Sequence, residues 1–190
     1  MKNRAAIFFL GLCPIIPASA HLAEGLILAG EFLFLFITSI LYNTVRIRIR
    51  ATRFAYFFHY TTIIIATAFY HTLLQMCFPL LIFQLSLYIY ISAFSYILIK
   101  SVDSYYQRNK SYDIPLLYAL LVIAASAIRE LFAFGTLSLP APSGLVSIQI
   151  IPLPLPLRFF GSSAGMLILL GIGLWLFRNF EERTALLFQE

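Results

Sequence analysis

The chain has 190 residues, 61% of them hydrophobic and 11% charged, against roughly 45–50% apolar and about 25% charged in a soluble domain. A chain this short leaves much of its surface exposed, so the apolar excess must face lipid, and the composition excludes a soluble reading. The formal charge of +5 gathers at the ends of apolar runs, which marks orientation in a membrane and not nucleic-acid binding.

Lipid admits only helices or closed barrels, because backbone groups must be satisfied internally. Barrel strands would alternate apolar and polar residues over about ten positions. Long unbroken apolar runs predict helices instead, and at about 20 residues per span there are six.

The first span, about Arg4–Ala20, is short and carries Pro14 and Pro17. Lys2 and Arg4, an apolar run and Ala18-Ser19-Ala20 also fit a cleaved signal peptide. The proline pair suits a broken helix better than a simple signal core, so retention is expected. Leu10-Gly11-Leu12-Cys13 is a poor lipoprotein signal, because bulky Leu12 precedes the cysteine. The second span, about Leu22–Asn43, holds Glu31, and Arg46, Arg48, Arg50 and Arg53 follow it. That cluster reads first as a topology anchor and second as a site for an anionic lipid or cytoplasmic partner. The third span is about Phe54–Leu74, the fourth about Phe78–Lys100, the fifth about Ile114–Ala133 and the sixth about Phe159–Phe177.

With six spans, 11 of the 13 basic residues fall on one side, leaving Arg129 and Arg158. That asymmetry predicts cytoplasmic termini in a multi-pass protein. The expected fold is all-α and integral to the membrane, a single domain over 1–190.

Six spans divide into two sets of three, about 1–75 and 76–190, which an odd number per set would insert as inverted repeats. Both sets open on an interruption, Cys13-Pro14-Ile15-Ile16-Pro17 and Cys77-Phe78-Pro79-Leu80-Leu81. Proline breaks or kinks a helix, and paired breaks in two halves point to a centre near the midplane. The plainer reading is two unrelated prolines, which membrane helices tolerate.

Ionisable residues inside spans are functional candidates by default. Glu31 reads as facing a partner or ion path, or as reaching toward the interface. Gln84 reads as buried in the fourth span and bonded across helices. Arg129 and Glu130, ending the fifth span, read as a local structural polar site at the outer boundary. His59 and His71 lie 12 residues apart, about 1200° of helical turn and so about 120° apart in direction, which prevents one helix from using both on one haem. Cys13 and Cys77 are the only cysteines. They exclude a disulfide scaffold and any four-thiolate metal site built from this chain alone. No nucleotide-binding glycine loop and no nucleophile–base pair is present.

Gly11-Leu12-Cys13-Pro14, followed by a glycine-bearing second span, resembles the small membrane subunits of the Rnf and NADH:quinone reductase complexes. Ile128-Arg129-Glu130-Leu131-Phe132-Ala133-Phe134-Gly135-Thr136-Leu137 is similar to a stretch of the RnfE proteins and their counterparts in the Na+-translocating NADH:quinone reductase, the NqrD proteins. Length, span count and motif order extend the resemblance over nearly the whole chain. It implies a prokaryotic cytoplasmic (inner) membrane subunit, not catalytic alone, in a complex that moves electrons and exports Na+ or H+. It also implies a homologous, oppositely oriented partner among other Rnf- or reductase-type subunits, and one [2Fe–2S] cluster shared with that partner. Two thiolates from each of the two homologues would complete such a cluster. Cys13 matches the first motif. The second motif would start at Pro79 and put its cysteine at Leu85, while Cys77 lies eight residues earlier, about 12 Å along an ideal helix. Altered ligation and an absent cluster are therefore both open. The rival function is a non-redox transporter or channel-like scaffold.

Overall fold

The computed structural model describes residues 19–49, 55–106, 113–151 and 158–162, together with 164, 165, 167, 168, 171, 172 and 175. The first expected span, with Cys13, lies outside the described residues except for Ser19 and Ala20, and the sixth is covered only in part.

Four long helices dominate the described residues: α1 (Leu22–Ile49), α2 (Ala55–Cys77), α3 (Pro79–Tyr106) and α4 (Asp113–Phe134). Each coincides with one predicted span, and α1 and α3 each run about six residues past the expected end. Three are long and apolar enough to cross a membrane, over Leu22–Arg48, Pro79–Leu98 and Pro115–Phe134. α2, which is not among those three, carries His59, His71 and four threonines. Those hydroxyls are satisfied within the helix: Thr61, Thr62, Thr67 and Thr72 donate to the carbonyls of Phe57, Phe58, Ile63 and Ala68.

α1 is the central helix, packed against α2, α3 and α4. Leu28, Phe32 and Leu35 recur on it at helical spacing and meet Ile63 of α2, Leu85 and Ile89 of α3, and Tyr118 and Val122 of α4. The opposite faces are as apolar as the core, with Phe57, Met76, Phe83, Leu87 and Phe94 exposed. A surface of this kind suits lipid.

Phe78 is the single non-helical residue between α2 and α3. Beyond it α3 folds back along α2, bringing the rings of His71 and Tyr90 to 5.7 Å. In one straight helix 19 residues would separate them by about 28 Å. The interruption expected within the fourth helix is thus a corner at its start. Pro79 occupies the first helical position, where its missing N–H costs nothing, and no break lies within α3.

α1 and α4 approach closely at Gly25. A Cβ there would overlap the Ser126 hydroxyl and lie 2.6 Å from Ser126 Cβ. Valine at Gly25 should therefore destabilise the bundle by about 1–3 kcal/mol through overpacking, more than any gain in helix propensity, about 1 kcal/mol. Thermal unfolding in detergent checks this, and Ser126→Gly should restore much of the loss.

The all-α expectation missed a β-hairpin after α4. Strand β1 (Thr136–Ala141) pairs antiparallel with β2 (Gly144–Gln149) in the register Thr136↔Gln149, Ser138↔Ser147 and Ala141↔Gly144. Pro142 and Ser143 form the turn, and Gly144 closes it at φ 119°. Gly135 ends α4 at φ 67° with its N–H on the Leu131 carbonyl, the left-handed stop that glycine adopts freely. Its own carbonyl accepts from Ile150 and Ile151, tying the far end of the hairpin to the helix terminus. A short helix, α5 (Arg158–Gly161), follows.

Candidate functional site

The predicted polar residues fall into two buried centres and several isolated positions. The first centre lies where α1 begins, α4 ends and β1 starts. Helix α1 opens with free N–H groups that its own backbone cannot satisfy. Glu24 accepts from the His21 N–H at 3.0 Å, one half of a capping box. Glu130, fully buried, reaches across from α4 and accepts from the Leu22 N–H at 2.6 Å. It also accepts from Ser138 Oγ at 2.9 Å and Thr136 Oγ1 at 3.2 Å. His21 Nδ1 lies 3.5 Å from the same carboxylate, and its ring stacks on Phe134 at 5.3 Å. Ser138 in turn lies 3.5 Å from the Ala23 N–H. One carboxylate therefore caps a helix 108 residues away in sequence, where the positive end of the helix dipole favours a negative group.

Arg129, its chain neighbour, is buried and donates to the Gly161 carbonyl at 2.6 Å. That contact holds α5 against the end of α4, where a Cβ at Gly161 would stand 3.3 Å from Ala133 Cβ. Arg129 and Glu130, predicted as polar residues ending the fifth span, are thus placed at the junction of α1, α4, β1 and α5. Sequence reasoning did not anticipate the participation of His21, Thr136 and Ser138. The alternation Leu137-Ser138-Leu139 and Val146-Ser147-Ile148-Gln149-Ile150 around Pro142-Ser143-Gly144 is the hairpin signal that would have located the last two.

The second centre is Glu31, nine residues into α1. It has no exposed surface, so it does not reach toward an interface. Neither carboxylate oxygen has a hydrogen-bond partner among the described residues. Ser92 of α3, also fully buried, lies beside it without reaching hydrogen-bond geometry. Tyr70 of α2 and Tyr118 of α4 are the ionisable groups within its electrostatic reach. The Tyr70 hydroxyl is committed to the Ile27 carbonyl at 2.9 Å, and it fits because Gly30 has no Cβ, which would lie 2.9 Å from it. The Tyr118 ring stacks on Phe32 at 4.2 Å.

The remaining candidates stand apart. Gln84, expected to be buried, is exposed on α3. Leu81, Ile82, Leu85 and Ile89 take the inward face, and the helical turn puts position 84 outside that stripe. Cys77 ends α2 as a free, exposed thiol and not as a packed core residue. Leu85, where the resemblance would put a second cysteine, is a core leucine, 2% exposed. His59 is buried against the Tyr42 ring at 4.9 Å, and neither of its ring nitrogens has a hydrogen-bond partner among the described residues. Among the described residues no three His, Cys, Asp or Glu side chains converge as a metal site.

No sequence profile of a known family matches the chain. No solved structure matches it. Over 179 residues it is 34% identical to an uncharacterized protein of Treponema pallidum (strain Nichols), with 94% of this chain and 91% of that protein covered. The chain belongs to the same family as that Treponema pallidum protein.

Proposed function

We propose that the chain is a membrane subunit of an Rnf- or NADH:quinone-reductase-type ion-translocating oxidoreductase complex. It carries electrons through the membrane core, coupled to Na+ or H+ export, and is not catalytic alone. The observation that carries the reading is the Ile128–Leu137 stretch. It resembles the RnfE proteins, and in this chain it builds the corner at which Glu130 caps α1 and Gly135 ends α4.

In this reading six helices span the cytoplasmic membrane as two inverted sets of three, with both termini cytoplasmic. α2 joins the other three helices as a span because its threonines are satisfied internally. A homologous, oppositely oriented protein pairs with this one, and Cys13 offers a thiolate to a [2Fe–2S] cluster at their boundary. Reporter fusions test the topology. Fusions after Lys110 and after Leu139 should report opposite sides of the membrane, and the same side for both would end the six-span reading.

Leu85 in the core favours a second reading, a non-redox transporter or channel-like scaffold. The two readings part on partner and cofactor. Purification of the tagged native protein should bring down the homologous partner under the first, and recovery as a lone chain would favour the second.

A further inference from the structure

Glu31 is the one carboxyl among the described residues that is fully buried with both oxygens unpartnered. It lies about 14 Å along α1 from its first residue, about a third of the way along a 27-residue apolar stretch long enough to cross a membrane. Each of the described helices packed on α1 brings an uncharged group near it: Tyr70 from α2, Ser92 from α3 and Tyr118 from α4. No cation is among them. An ionised carboxylate without a partner in such surroundings costs several kcal/mol. Among the described residues neither oxygen meets a hydrogen-bond partner, and the polar side chain beside it is the neutral Ser92.

We propose that Glu31 is a proton-binding site inside the membrane, carrying one proton in this closed packing and exchanging it with water when the bundle opens. The proton is taken from water by the carboxylate and returned to water by the acid, so no other reactant is needed. A bare metal cation fits the site less well. It needs several converging ligands, and among the described residues no three His, Cys, Asp or Glu side chains come together. Toward the Arg46 end of α1 the buried polar groups are Ser39, Ser95 and His59. Toward the hairpin end the buried polar groups are Ser126, Glu24 and the Glu130 cluster. The inference rests on the membrane part of the proposed function and not on its redox part.

The test uses the full chain in its native complex, purified in lipid. Dicyclohexylcarbodiimide adds to protonated carboxyls in apolar surroundings, and peptide mass mapping locates the adduct. Infrared spectroscopy reads the carbonyl band of a protonated carboxyl on the same samples. We expect an adduct on the peptide carrying Glu31, unchanged by added Na+ at constant ionic strength. Glu31→Gln should lose both the adduct and the infrared band completely, and Glu31→Asp should retain a shifted band. Absence of both signals from the wild-type complex would overturn the proposal. So would protection by Na+, which would assign a sodium site instead. If Glu31→Gln fails to accumulate, the mapped adduct on the wild type still decides. Neither readout involves iron or electron transfer, so failure here leaves the redox reading standing, and failure of that reading leaves this one.

Discussion

Replacing Glu130 with alanine is expected to lower stability by about 3–5 kcal/mol, the range for removing one partner from a buried charged network. The size follows from what the carboxylate leaves behind. The Leu22 N–H would lose its acceptor at the start of α1, and the Thr136 and Ser138 hydroxyls would lose theirs in β1. Each buried polar group left unsatisfied costs about 1–3 kcal/mol. The loss should be local before it is global, with the hairpin and the first turn of α1 becoming accessible to protease ahead of the α2–α3 pair. Thermal unfolding in detergent, with limited proteolysis beside it, measures both. Glu130→Gln should fall between, since it keeps an acceptor for Leu22 but gives up the charge at the helix terminus, worth about 0.3–1 kcal/mol. Wild-type stability in the alanine variant would mean that the corner is not held by this side chain.

Under the proposed function, Cys13→Ser should abolish iron binding in the assembled complex and with it electron transfer, because an iron–sulfur cluster depends on its full set of thiolates. Cys77→Ser should leave both near normal. Cys77 sits exposed at the end of α2, across the Phe78 corner from Leu85. Leu85 points into the core and offers no ligand atom. Equal loss in the two variants would make Cys77 a ligand that reaches the cluster in place of position 85. No loss in either would remove the redox role from this chain. Iron content and electron-transfer rate, measured side by side on both variants, separate the three outcomes.

The long helices are legible in the sequence because twenty-residue apolar runs have few other fates. Their ends are not: Val45, Ile47 and the intervening arginines continue α1 as readily as they anchor it, so the helix runs on past Asn43 to Ile49. Which side of each helix turns inward is also hidden. Lipid and core are equally apolar, so Phe83 outside and Leu85 inside carry the same signal. Sequence alone therefore puts Gln84 in the interior and leaves Glu31 between interior and interface, while the packing of α1 reverses the first and decides the second. Arg129 and Glu130 stand out in the sequence by their charge alone. Their partners His21, Thr136 and Ser138 depend on a hairpin whose short alternating strands pass for a connection, because the surrounding sequence is dominated by helix-length runs.

The central claim, that this chain is part of a redox-driven ion pump, is tested most directly by the iron and acid-labile sulfide content of the complex purified through the tagged native protein. The account predicts iron and sulfide in equal amounts, together with a homologous membrane protein of opposite orientation. A complex free of both elements, or the chain recovered alone, would contradict it.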